Sequence, residues 1–448
     1  MEYIPNTAED QKEMLKTIGV SSIEDLFCNI PADVKLKRGL NLPGPMSELE
    51  LLKEVRALSS MNANTVDYVC FLGAGAYDHF IPSVVPHILS RSEFYTAYTP
   101  YQAEMSQGLL QTIYEYQTMI CELTGMEVAN ASMYDGASAV AEAALMAARV
   151  TKREEIVVSS TVNPGYRNVL NTYLMGLKFP VTTVGWTNGI SDLQRLSQSI
   201  SDKTAAVIIQ YPNFFGCIED IRFIIDMVHR HGTIAVVVAD PIALGLLKSP
   251  GELGADIVVG EGQSLGIPLN FGGPYLGFFA TKMEHVRKMP GRVVGATTDT
   301  EGKVGYCLTF QTREQHIKRE RATSNICTNE ALVALAATVY MEAMGREGLK
   351  DVATLCLKKA SYAKKKIGEI KGYSIPFSAP AFKEFVVKGP VTPHMIQERL
   401  NSEKILSGLD LGTYYPELDG HILFCVTEKR TREEIDRLVS ILTKESQK

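Results

Sequence analysis

The sequence predicts an α/β fold: a mostly parallel sheet covered by helices on both faces, a helical arm before it and a smaller α+β segment after it. Short β-rich runs separated in several places by helical stretches carry this, at Glu155–Ser159, Val181–Val184, Ala205–Gln210, Ile234–Ala239, Ile257–Val259 and Gly277–Ala280. Runs as apolar as Ile234–Ala239 suit strands buried on both faces. With 448 residues, 45% of them hydrophobic, the chain is long enough for a large core and for two or three domains.

In chain order, Thr7-Ala8-Glu9-Asp10 fits a capping box, and Met14, Leu15 and Ile18 follow at helical spacing. A second helix is predicted to start at Ile23 and stop near Ile30-Pro31, and a third to cover Met46–Ser59 with Leu49, Leu52, Val55 and Leu58 on one face. Residues Tyr68–Pro100 are rich in Gly, Pro and aromatics, either a packed irregular loop or backbone lying close to a ligand or another chain. Leu109–Leu123 reads as a helix stopped at Gly125, and Gly136–Ala148 as an alanine-rich one. A long helix, Glu330–Met344, leads to strands near Phe385–Val387 and Ile422–Val426. The boundaries expected are 1–105 for arm and loops, 106–345 for the large α/β domain and 346–448 for the small α+β domain.

Fifty-one acidic against 45 basic residues give −6, which speaks against nucleic acid as the main partner. Cys28, Cys70, Cys121, Cys217, Cys307, Cys327, Cys356 and Cys425 form no C-x-x-C pair and read as reduced thiols of a cytoplasmic protein, with no metal site. The start, Met1-Glu2-Tyr3-Ile4-Pro5, has no signal-peptide pattern, and no run approaches a membrane span.

The run Ile234–Ala239 ends in Asp240 and is followed by Gly262-Gln263-Ser264 and a turn at Gly272-Gly273-Pro274. This is the frame of a pyridoxal-phosphate enzyme with glutamine at the Schiff-base lysine position, and a carboxamide has no basic lone pair to form an imine. Asp240 sits where open α/β sheets collect ligands and could pair with a protonated pyridine nitrogen; a helix cap or loop acceptor is the plainer reading. Gly136 and Ser138, in Tyr134-Asp135-Gly136-Ala137-Ser138, offer a phosphate seat at a helix N-terminus or an ordinary cap. Asn213, in Pro212-Asn213-Phe214, could face the same edge or hold its own turn. Lys248 and Lys282 are both misplaced for the missing lysine.

Other constellations are thinner. His229 and His231 do not share a helical face. Arg313, His316, Lys318, Arg319 and Arg321 either attract an anion or form a solvated surface, and Cys327 reads as a structural thiol. Tyr98, Tyr101 and Gln102 combine aromatic anchors with polar tips, which suits an interface or a packed corner.

Several longer runs carry a resemblance: Glu24-Asp25-Leu26-Phe27, Phe94-Tyr95-Thr96-Ala97-Tyr98-Thr99-Pro100-Tyr101-Gln102-Ala103-Glu104, Tyr134-Asp135-Gly136-Ala137, Thr312-Arg313-Glu314-Gln315-His316-Ile317 and Ala322-Thr323-Ser324-Asn325-Ile326-Cys327-Thr328. The chain resembles the N-terminal half of the glycine cleavage system P-protein family, more narrowly the first subunit of its split form. The resemblance implies a fold-type I pyridoxal-phosphate-dependent transferase fold, like that of aspartate aminotransferase. It implies that the Schiff-base lysine, and with it the pyridoxal phosphate, belongs to glycine dehydrogenase subunit 2 in an α2β2 assembly. In that complex glycine would lose CO2 and its aminomethyl group would pass to the lipoyl arm of the H protein. Gly136, Ser138, Asn213, Asp240 and Gln263 then mark a vestigial pocket, and Gly73, Gly75, His79, Tyr98, Tyr101 and Gln102 line an interface or active site. A non-catalytic scaffold and an independent enzyme using another lysine are the competing readings.

Overall fold

The computed structural model describes residues 4–326 and 328–446. They divide into two compact units at Asn62–Ala63. In the first unit, helix α1 (Ala8–Ile18) begins at a Thr7–Asp10 capping box and ends at Gly19 in the left-handed region (φ 84°). The stretch Ile23–Phe27 winds only as a 3-10 turn, and α2 (Glu48–Ser59) is capped by Ser47 and Glu50. Among the described residues of these helices none is buried.

The second unit is built on a seven-stranded sheet. Its strands are β1 (Val128–Ala129), β2 (Glu155–Ser159), β3 (Val181–Val184), β4 (Thr204–Tyr211), β5 (Ile234–Ala239), β6 (Ile257–Glu261) and β7 (Gly277–Thr281). Their spatial order is β1-β7-β6-β5-β4-β2-β3. The five strands from β6 to β3 pair in parallel, and β7 runs antiparallel to both β6 and β1.

Side chains alternate across a strand, so a strand apolar throughout feeds two cores. In β5, Ala235, Val237 and Ala239 join one core, while Ile234, Val236 and Val238 join the other. On the first face lie α3 (Gln107–Thr124) and α6 (Ile221–His229); on the second lies the alanine-rich α4 (Gly136–Thr151), followed by α5 (Pro164–Met175). Helix α7 (Ala331–Gly368) is interrupted at Gly345 (φ 59°, ψ −176°). Its first part packs on the large sheet through Ala337 and Tyr340, and its second on the C-terminal core through Ala360 and Ala363. A hairpin of β8 (Val293–Thr298) and β9 (Val304–Thr309) stands between these elements in the chain. The C-terminal region is a three-stranded antiparallel sheet of β10 (Glu384–Lys388), β11 (Leu409–Asp410) and β12 (His421–Cys425), with α8 (Pro393–Ser402) and α9 (Arg432–Glu445).

The division differs from the one read in the sequence. Residues 63–105 belong to the second unit, because Val69–Cys70 pairs in parallel with Ile405–Leu406 and Phe71 lies in the C-terminal core. Among the described residues, no helix is long and apolar enough to cross a membrane.

Candidate functional site

The site forms at the carboxyl edge of the large sheet, where β5 delivers Asp240 and β6 delivers Glu261 and Gln263. The N-terminus of α4, the cap of α5 at Asn163, the loop Gly73–Phe80 and the head of β10 close around it. Between them is a cavity of about 30 Å³, lined by Gly75, Tyr77, Asn163, Tyr166, Asp240 and Glu261. A wider cleft of about 510 Å³ shares Gly75, Asn163, Tyr166 and Glu261 with it and reaches Asp135, Tyr275 and Glu330.

Asp240 faces a cation of its own chain. Its Oδ2 lies 2.7 Å from Nζ of Lys383, a side chain 1% exposed, while its Oδ1 accepts the Ile242 N–H at 3.0 Å. Burial works against the lysine's charge, but Asp240 together with the neighbouring Cys425 and Cys356 raises the Lys383 pKa.

The seat at the start of α4 is occupied in the same way. Asp135 caps the helix in a reciprocal box with Ser138, so the Ser138 hydroxyl and N–H are both turned to the cap. The free N–H of Gly136 donates to Oε2 of Glu261 at 3.0 Å, and Oε1 accepts the N–H groups of Gln263 and Leu276. Burial pushes the Glu261 carboxyl up to about 8 against the pull of those donors.

Gln263 is buried and fully bonded. Its carboxamide oxygen accepts the Tyr77 N–H at 2.8 Å, and its nitrogen donates to the carbonyls of Tyr77 at 3.0 Å and Ile267 at 2.7 Å. The loop it grips is fastened elsewhere too. The Ala74 N–H and the Tyr77 hydroxyl donate to the two oxygens of Glu384, and Asn163 donates to the Ala74 carbonyl. Gly73 lies against Glu384 and Cys425, and Gly75 adopts φ 118° beside Asn163. His79 is buried, with Nδ1 2.6 Å from Glu428 and Nε2 3.3 Å from the Lys383 ammonium. Donor atoms of His79, Cys356 and Glu428 come within 4.8 Å of one another, with the Nδ1 side of the imidazole turned to Glu428 and the Nε2 side to Lys383.

Other residues singled out in the sequence lie apart from this cleft. Asn213 is a turn anchor: its oxygen accepts the N–H groups of Phe215 and Cys217, and its nitrogen donates to Gly189 and Glu219. Lys282 pairs with Asp256, which precedes β6, and so sits at the opposite edge of the sheet; Lys248 is exposed. His229 also pairs with Asp256. Arg313 is buried and donates to the carbonyls of Met289, Gly291 and Phe310, while Lys318, Arg319 and Arg321 are exposed. Tyr98 is 83% exposed and Gln102 is exposed, whereas the hydroxyl of Tyr101 accepts a hydrogen bond from the buried Arg292 at 2.8 Å. Cys327 lies outside the described residues. Glu261, Lys383, Glu384 and Asn163, which shape the cleft, do not stand out in the sequence.

These residues do not fit pyridoxal phosphate. Small-molecule pockets span roughly 300–1,000 Å³, and the space between Asp240 and Glu261 is about 30 Å³. The wider cleft has the room, but none of the described residues lining it is cationic, and Asp135, Glu261 and Glu330 face it. Asp240 is already paired, the α4 N–H is already taken and the imine-forming amine is replaced by a bonded carboxamide.

Known proteins agree on the scaffold. The family model described as the glycine cleavage system P-protein matches residues 1–442. A relative from Desulforamulus reducens, named "Probable glycine dehydrogenase (decarboxylating) subunit 1", is 58% identical over 442 residues, 99% of each chain. One of the same name from Bacillus subtilis is 53% identical over 440 residues, 98% of each. The crystal structure of a glycine decarboxylase (P-protein) in inhibitor-bound form superposes with a TM-score of 0.91 at 42% identity, covering 99% of this chain and 100% of that one. A sphingosine-1-phosphate lyase of Burkholderia pseudomallei, at 15% identity and a TM-score of 0.66, shares the fold alone, over 93% of this chain and 94% of its own. The fold is the fold-type I architecture of pyridoxal-phosphate-dependent enzymes, and the subunit 1 names imply a second subunit. The chain belongs to the glycine cleavage system P-protein family, as a subunit of glycine dehydrogenase (decarboxylating) of the subunit 1 kind.

Proposed function

We propose that this chain is the cofactor-free half of a two-subunit enzyme, active only when joined to a subunit 2 that carries the Schiff-base lysine and the pyridoxal phosphate. The observation that carries this reading is the Lys383–Asp240 pair: the carboxylate that should face a pyridine nitrogen is held at 2.7 Å by an ammonium of the chain itself. The same pair disfavours an independent enzyme using another lysine, since Lys383 sits at the ring-nitrogen end of the frame and is committed to Asp240. In the complex, glycine is decarboxylated and its aminomethyl group is passed to the lipoyl arm of the H protein. This chain's part is to close the partner's active site across an interface and to border the entry of the lipoyl arm.

Its surface supports such a partner. In the second unit, Tyr95, Tyr98 and Met105 are exposed along residues 95–105; in the first unit, taken by itself, Leu49, Leu52, Val55 and Leu58 of α2 are exposed. Exposed apolar side chains of this density mark association surfaces. Borohydride reduction followed by peptide mapping tests the assignment. The isolated chain should yield no pyridoxyl-lysine, and the reconstituted α2β2 complex should yield it on subunit 2 only. A pyridoxyl-lysine on this chain would overturn the reading. If subunit 2, once folded, decarboxylates glycine and uses the H protein equally well without this chain, the scaffold reading replaces it.

A further inference from the structure

Lys383 stands immediately before β10 with its side chain fully enclosed, an arrangement that is unfavourable unless the charge is well paired. Its ammonium meets Oδ2 of Asp240 at 2.7 Å, Nε2 of His79 at 3.3 Å and the face of the Tyr77 ring at 3.5 Å. Asp240 ends a strand of the large sheet, while Tyr77 and His79 belong to the loop Gly73–Phe80. The next residue, Glu384, accepts from the Ala74 N–H at 2.6 Å and from the Tyr77 hydroxyl at 2.9 Å. Two consecutive side chains of the C-terminal region therefore clamp one loop, and Lys383 ties that clamp to the large sheet. Leu72 and Phe80, at the ends of the loop, are 41% and 61% exposed.

An aspartate in this position serves a ligand's ring cation in cofactor-binding relatives of the fold. Here the cation is part of the polymer. The geometry points to Lys383 as a built-in substitute for that ring cation: a positioning residue that couples Asp240 to the Gly73–Phe80 loop and so fixes the surface the loop presents to the partner subunit. This rests on the reading of the chain as the cofactor-free subunit. Lys383 touches no reacting atom, and its effect passes through Tyr77, His79 and the loop backbone.

Hydrogen exchange on the full chain tests it. The Ala74, Tyr77 and Phe80 amides each donate to a buried or part-buried side chain and should be protected in the wild type. The double variant Asp240→Asn/Lys383→Met removes both charges with little change in volume, so the fold is expected to survive. Exchange at Ala74 and Tyr77 should then rise about ten-fold or more, with Val236–Val238 unchanged. In the reconstituted complex, the Kd for subunit 2 should rise about ten-fold while kcat at saturating partner stays within two-fold, a split that general destabilisation would not give. Loop exchange or partner Kd within two-fold of wild type overturns the proposal. If the double variant does not fold, Asp240→Asn alone decides: the Tyr77 amide should exchange about three-fold faster or more, and no acceleration overturns it. Failure of the wild type to bind subunit 2 would overturn the subunit reading while leaving the exchange result intact.

Discussion

Gln263 holds Tyr77 by both of its backbone polar groups, accepting its N–H at 2.8 Å and donating to its carbonyl at 3.0 Å. A lysine in that slot could satisfy the carbonyl but not the N–H. Gln263→Lys is therefore expected to lose about 2–4 kcal/mol of stability in urea denaturation. It should still trap no pyridoxal phosphate on borohydride reduction, because Glu261 and Lys383 continue to fill the seat.

Gly73→Ala should be costly although its backbone is ordinary. An added methyl would come within 2.5 Å of Oε1 of Glu384 and 2.6 Å of Cβ of Cys425. Relieving that overlap moves the clamp on Ala74, so a stability loss of about 2–3 kcal/mol is expected, read as a lower urea midpoint.

The two tyrosines of the 98–101 segment should separate by experiment. Tyr98→Ala removes a side chain that is 83% exposed and is expected to leave stability within about 0.5 kcal/mol while weakening assembly with subunit 2. Tyr101→Phe deletes the acceptor for Arg292, whose guanidinium also lies 5.1 Å from the Tyr101 ring, and should cost about 1–2 kcal/mol before any partner is added. Thermal unfolding of the free chain and titration with subunit 2 distinguish the two.

Stability should fall as the pH rises. Burial lifts the Glu384 carboxyl from 4.5 to about 7 and that of Glu261 from 4.5 to about 8, so the native chain keeps protons that the unfolded chain releases. Their stabilisation is complete below about pH 4.5 and is lost as the pH passes through 7 and 8. Glu428 behaves oppositely: burial works against its charge, but the contact with His79 and the Phe80 N–H hold it at about 2, so its contribution is full above about 4.5 and lost as the pH falls toward 2. Glu384→Gln should flatten the alkaline decline by on the order of 3 kcal/mol between pH 5 and 9, measured by urea midpoints.

Asn213→Ala should lower stability by about 2–4 kcal/mol, through the unpaired Phe215 and Cys217 N–H groups, and leave turnover per assembled complex unchanged.

What could be read from the sequence was local. Ile234–Ala239 is apolar at every position and could only be a doubly covered strand, and Asp240 and Gln263 follow their strands by a few residues. Strand β1 is two residues long and carries no period of its own. Hairpin β8–β9 gives a weak signal because Ala296–Thr298 and Val304 are exposed on a half-polar pattern. Lys383 is hard to see for a different reason: its partners Asp240, Tyr77 and His79 are remote in the chain and are brought together only by the tertiary fold. A signal is nevertheless present, since Lys383-Glu384 opens the otherwise apolar run Phe385-Val386-Val387, and two charges at the head of a buried strand need partners. Glu261 likewise adjoins the Gly262-Gln263 step of the cofactor frame.

A pocket filled from within alters how folding responds to supply. A protein that folds around a bound ligand gains stability in proportion to the logarithm of that ligand's free concentration. On the proposed cofactor-free assignment, the ammonium of Lys383 and the carboxyl of Glu261 are delivered by the chain at a fixed effective concentration, and pyridoxal phosphate is expected to add nothing by mass action. On that assignment, scarcity of the cofactor is expected to leave this subunit folded and its thermal midpoint unchanged, ready to assemble with the partner proposed to carry it.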